Sequence, residues 1–189
     1  STYAAFEAEG NATLIRGAPA FWVTTNDAPA SAGSALYIDG TTDNALAPHS
    51  FAVFQIKFAA AGTYNLYYRW KADAARTVAD QFTGNSCLMP NALGMFTTAG
   101  ATGLADFHTA LSNGTQAPAN NVYDWTLETV TYTVSAQEVA AGAPLVLSIG
   151  TREAGFTLDR CVLSTDAALS DAALDALVNS DTSDVVQGA

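Results

Sequence analysis

Apolar and polar positions alternate with a period of two over much of this chain, the signature of half-buried β-strands. Ser50 to Phe58 sets Phe51, Val53, Gln55 and Lys57 on one parity and Phe54, Ile56 and Phe58 on the other. Ala61-Gly62 then turns into Thr63–Lys71, an aromatic-rich run that favours a strand, so the two segments are expected to form a hairpin. Tyr123–Val134, Pro144–Ile149 and Phe156–Ser164 read as further strands. Near the start, residues 3–9 and 12–16 are short strands around Gly10-Asn11, and Ala35–Ile38 is a strand stopped by Asp39-Gly40. Residues 17–34 are rich in Gly, Pro, Ser, Asn and Asp and read as a loop, with Phe21-Trp22-Val23 as an apolar island.

Residues 72–122 are the least regular, with strands expected only around Asn85–Met89 and Leu93–Thr97. So long an irregular segment in a compact domain carries function or insertions. From Asp166 the character changes, as Leu169, Ala173, Leu174, Leu177 and Val178 fall near helical spacing behind a Ser170 or Asp166 cap. Asn179–Ala189 is a polar tail containing Val185-Val186. Many short strands, no β-α-β rhythm and one helical segment give an all-β fold: a β-sandwich or jelly roll over residues 1–165, then a short helix and tail over 166–189.

Composition narrows the partners. The 189 residues are 49% apolar but only 13% charged, with seven basic residues and a net charge of −11. No basic patch for nucleic acid, and no polybasic segment for anionic lipid, can be built from them. No apolar run reaches the roughly 20 residues that span a bilayer, so membrane insertion is not expected. The acidic, Lys-poor, Ser/Thr/Asn/Gly-rich composition suits a secreted, extracellular chain or equally one from a salty medium, and the Ser-Thr-Tyr start suits a mature form.

Cys87 and Cys161 allow one internal pairing: a disulfide between a middle strand and the last, or two buried thiols packed as small hydrophobes. Glu7 and Glu9 lie two apart, so on a strand they share a face. Asp159 stands inside an otherwise apolar strand, where a carboxylate needs a partner. These three acids could hold a calcium ion, since clustered oxygens select it; on spacing alone, Glu7 and Glu9 could equally face water.

Three blocks in order carry a resemblance: Phe6-Glu7-Ala8-Glu9, Ala60 through Trp70 (Ala-Ala-Gly-Thr-Tyr-Asn-Leu-Tyr-Tyr-Arg-Trp), and Thr157-Leu158-Asp159-Arg160-Cys161-Val162-Leu163. Together they resemble the family 6 and family 35 carbohydrate-binding modules, jelly rolls often joined to polysaccharide-degrading enzymes. The resemblance implies a structural calcium on Glu7, Glu9 and Asp159. It implies sugar-stacking rings at Trp125 and Trp22, with Arg152 and Glu153 as hydroxyl partners in the loop before the last strand. On the residues alone, each tryptophan, Trp70 above all, could equally be core, and Arg152 and Glu153 could be a salt bridge within the turn. Departing from the family's Gly-Tyr-Ser-Gly-Gly, the first loop reads Ala-Ser-Ala-Gly-Ser-Ala-Leu-Tyr over residues 30–37.

Catalysis is not expected. No carboxylate pair is singled out by spacing, and His49 and His108 sit in polar sequence without a nucleophile motif. The expectation is a non-catalytic module binding a polysaccharide or other glycan. The alternative is a secreted structural subunit that binds copies of itself into a fibre, sheath or surface layer, by docking the helix and tail or donating a strand.

Overall fold

The computed structural model describes residues 2–42, 50–72, 84–94, 106–110, 122–180 and 185–186. His49 and most of the expected 93–97 strand lie outside them. Two antiparallel six-stranded sheets face one another. The first has the order β3 (Ala20–Asn26), β4 (Ser34–Gly40), β11 (Thr157–Ser164), β6 (Gly62–Lys71), β9 (Asp124–Val134), and β1 (Tyr3–Glu7) joins it on β11. The second runs β12 (Val185–Val186), β5 (Phe51–Ile56), β10 (Leu145–Gly150), β7 (Leu88–Pro90), β8 (Phe107–Thr109), with β2 (Thr13–Ile15) also on β5. Helices are three and short among the described residues: α1 (Ala8–Asn11), α2 (Ala136–Ala141) and α3 (Asp171–Ala176). None is long and apolar enough to cross a membrane.

The period-two pattern explains the core. On β6, Tyr64, Leu66, Tyr68 and Trp70 point into the space between the sheets, where they meet Phe6, Phe54, Tyr132 and Leu158. Trp70 stacks on Phe156 at 4.8 Å and 11°, and its indole N–H donates to Thr126 Oγ1, so a large ring is buried without an orphaned donor. The opposite parity of β6, including Tyr67, Arg69 and Lys71, forms the outer face of the first sheet.

Three expectations are corrected. Segments 50–58 and 63–71 are strands but not a hairpin: β5 lies in the second sheet and β6 in the first, so the turn between them crosses the sandwich. The 17–34 loop contains a full strand, β3, paired residue for residue with β4 from Ala20↔Gly40 to Asn26↔Ser34. Its alternation sends Ala20 and Trp22 inward while Phe21 and Val23 stay half-buried. The chain also leaves strand geometry at Glu7, and Glu9 sits in the four-residue α1, so the two glutamates are not neighbours on one strand face.

The helical segment is α3, capped by Ser170, whose side chain accepts from Ala173 N. Leu174 is buried against Ala5, Tyr67 and Val162, with Leu169, Leu177, Tyr3 and Trp125 packed around them. Residues 166–180 thus lie across the outer face of the first sheet. Farther on, β12 pairs with β5, Val185 opposite Ile56, so the tail joins its own second sheet in cis.

Candidate functional site

The site is built on a register break. Between Leu158 and Arg160 the pairing of β11 with β6 slips by one residue. Leu158 faces Trp70 in the core, Arg160 pairs with Arg69, and Asp159 is the extra residue. Such a bulge lets two successive side chains leave on the same side of a strand. Asp159 and Arg160 both do so, and both are buried.

Asp159 is fully enclosed, and its charge is compensated. Arg69 Nη1 pairs with Oδ2, and Ser31 N donates to Oδ1 at 3.0 Å. Ser31 Oγ also lies within hydrogen-bond distance of Oδ1, at 3.0 Å, and of Glu7 Oε2. A hydroxyl has one proton, so it serves one of these carboxylates at a time. On its other oxygen, Glu7 Oε1 receives Asn179 Nδ2 at 3.1 Å and lies 3.5 Å from Arg160 Nε.

Glu9 is less well provided for. Ser34 Oγ stands at 3.5 Å from Oε1, and Oε2 is buried with no hydrogen-bond partner. Burial, and then the charges of Glu7 and Asp159, push its carboxyl up to about 7. The fold thus brings Glu7, Glu9 and Asp159 into one electrostatic neighbourhood, from the first strand, the first helical turn and the last long strand. Their chemistry suits a hard cation: carboxylate oxygens, a neutral hydroxyl and one orphaned buried oxygen. The shell is not closed, for among the described residues no three His, Cys, Asp or Glu side chains are arranged as ligands. Arg69 and Ser31 hold the positions that compensate Asp159.

The four residues expected at a sugar site divide. Trp22 is fully buried; its Nε1 donates to Ile149 O at 3.0 Å and its ring meets Phe156 edge-on. It is a core residue with no face to offer a ligand. Glu153 is buried too, with Oε1 against Arg152 Nη1 at 2.6 Å and Oε2 accepting from Asn85 N at 3.0 Å. Arg152 also reaches Ser86 Oγ, so this pair ties the loop before β11 to the segment before β7. Trp125 stays on the outer face of the first sheet, half-buried beside Tyr67 and Leu177, with Nε1 donating to Asp175 Oδ1 at 2.8 Å. No contact joins Arg152 or Glu153 to it among the described residues.

Around Trp125 stand groups that spacing did not single out. Tyr123 donates to Asp27 Oδ2 at 2.9 Å, with Arg69 at 4.8 Å and Lys71 at 4.9 Å from its ring centre. Lys71 pairs with Asp27. The signal in the sequence was the outward parity of β6, where Arg69 and Lys71 interrupt an aromatic strand. His108 is bound on both nitrogens, by Asn91 Oδ1 at 2.7 Å and Glu128 Oε1 at 3.0 Å. Cys87 and Cys161 belong to one core but are free thiols, so the disulfide is replaced by the packed-thiol arrangement.

Two facing antiparallel sheets, with β1 paired to β11, define a β-sandwich, a fold found also in a family 35 carbohydrate-binding module. No protein-family model and no curated protein matches the sequence. Among solved structures, a family 35 carbohydrate-binding module from Clostridium thermocellum matches 85% of this chain and 97% of its own, with a TM-score of 0.50 and 16% identity. The Podospora anserina GH26-CBM35 β-(1,4)-mannanase matches 90% of this chain and 29% of its own, at 0.50 and 14%. An exo-β-1,3-galactanase from Phanerochaete chrysosporium, with β-1,3-galactotriose, matches 87% and 30%, at 0.50 and 11%. The chain spans less than a third of these two enzymes, and at such identities the likeness is one of fold.

Proposed function

We propose that this chain is a non-catalytic, extracellular carbohydrate-binding module with a structural calcium site. The observation that carries the reading is the sandwich shared along nearly the whole length of a family 35 module. Two features of the chain itself support it. An aromatic, Trp125, stays on the outer sheet face beside Tyr123, Arg69 and Lys71. Such a surface offers an apolar ring face to a pyranose and donors and acceptors to its hydroxyls. The second feature is the acidic cluster, in which a buried Glu9 oxygen lacks a partner.

Glu7, Glu9 and Asp159 would hold the calcium, with Ser31 Oγ as a neutral oxygen nearby. When bound, the ion would neutralise Glu9, whose Oε2 is buried without a partner, and the part of the Glu7 charge that Arg160 at 3.5 Å leaves uncompensated. The chain's own residues do the rest: β1 and β11 bring the acids together, and the bulge turns Asp159 out of the core.

Affinity electrophoresis against a panel of soluble polysaccharides tests recognition. Retardation by at least one, lost in Trp125→Ala and kept in Arg152→Ala, is the expected result. No retardation by any would overturn it. For the metal, calcium added to chelator-treated protein should raise the melting temperature, and Glu9→Gln should abolish most of that rise.

A further inference from the structure

The two carboxylates at the ends of the acidic cluster divide their oxygens in the same way. Glu7 Oε2 and Asp159 Oδ1 turn toward each other across Ser31 Oγ. Glu7 Oε1 and Asp159 Oδ2 turn away, and each is held by a group that also holds the C-terminal segment 166–180. On the Glu7 side that group is Asn179, which lies on the segment itself and donates to Oε1 at 3.1 Å. Arg160 stands behind it, with Nε 3.2 Å from Asn179 Oδ1 and 3.5 Å from Glu7 Oε1. The rest of the Arg160 guanidinium donates to the carbonyls of Leu174, at 3.3 Å, and Leu177. These are carbonyls at the end of α3, which has no basic residue of its own there. On the Asp159 side the group is Arg69, paired with Oδ2 and 3.9 Å from Asp175 Oδ1.

We propose that segment 166–180 is a strap that orients the acidic cluster from outside, so that strap docking and calcium binding at Glu7, Glu9 and Asp159 are linked. The proposal rests on the calcium reading above. While Asn179 and Arg160 hold Oε1, the Glu7 carboxylate can rotate little, and Oε2 stays aimed at Asp159. An undocked strap frees that rotation and withdraws a donor from Glu7. A cation that needs both inward oxygens therefore binds the docked form better, and by reciprocity it must tighten docking by the same factor. The strap is suited to this. Its helix has six residues, too few to stand alone, and a single side chain of that helix, Leu174, is buried. Ser180, next to Asn179, reports docking directly: its N–H donates to Ala5 O at 2.7 Å, and its hydroxyl accepts from Ala5 N at 2.8 Å.

Asn179 is the positioning residue to change, because it is exposed and uncharged. Calcium titration of the full chain by calorimetry should show Asn179→Ala binding about fivefold or more weakly than the wild type, the lower range of such couplings. In the wild type, saturating calcium should slow hydrogen exchange at the Leu174, Leu177 and Ser180 amides by a similar factor, a response that a merely structural Asn179 would not produce. Asp175→Asn should weaken calcium in the same direction. If the wild type binds calcium but Asn179→Ala binds it equally and strap exchange ignores the ion, the linkage is wrong and the calcium site stands. If the wild type binds no calcium, both fall together.

Discussion

Asp159 shows how much one side chain can depend on its setting. A carboxylate with no exposed surface requires full compensation, and Arg69 and Ser31 provide it. Removing one partner of a buried pair leaves the other charged and stranded, which is far costlier than the pair's net worth. Asp159→Ala is therefore expected to lower the unfolding free energy by about 3 kcal/mol, read by urea denaturation in the presence of chelator. Much at this scale was legible in the sequence. An Asp in an apolar strand demands a partner, and Trp70 in an alternating aromatic strand is a core residue. Less legible was which partner Asp159 takes, because Arg69 is reached only through β6–β11 pairing across 90 residues. Trp22 misled for a related reason: its Pro- and Gly-rich surroundings hid a strand whose parity points it inward.

Among the elements, β9 carries a second buried acid. Glu128 lies on the inner side of an edge strand of the first sheet, and His108 lies on β8, the last strand of the second. Their hydrogen bond joins the two sheets at their margins. Burial alone would push the Glu128 carboxyl up, but the His108 bond and charge, with donors from Thr129, outweigh it and hold it below its ordinary 4.5. A group depressed in the folded state adds stability above its unfolded pKa and loses it as pH falls through the folded value. The wild type should therefore lose stability steeply below about pH 4.5, and Glu128→Gln should flatten that limb. At neutral pH the variant should be less stable by about 2 kcal/mol, the worth of a hydrogen bond to a charged group. Thermal melts at pH 7, 5 and 4 check both. Period two identified β9, β10 and β11 well. It said nothing of which sheet each strand enters, which is why β5 and β6 read as a hairpin, or of the bulge, which breaks the period at the residue that matters most.

The whole molecule stands on its core without a covalent cross-link. Cys87 and Cys161 are buried thiols, and burial pushes both well above the ordinary thiol range, so neither is a ready thiolate. Reductant should leave the melting temperature unchanged. A thiol-reactive dye should find no groups in the native protein and two in denaturant; a bridged pair would give none in denaturant until reduced. Two facing sheets were readable from composition and alternation, since many short strands with few helical stretches leave little else. The strap was legible only as a helix. Its docking depends on Asn179 and Arg160, residues whose types are common and whose meeting is set by tertiary structure.

The sandwich also returns to its starting point. Thr2 N donates to Thr165 Oγ1 at 3.2 Å, and Thr165 N to Thr2 O at 3.1 Å. The two threonines therefore clasp the start of β1 to the end of β11, and the two strands open there only together, while the chain runs on through the strap to β12 of the second sheet.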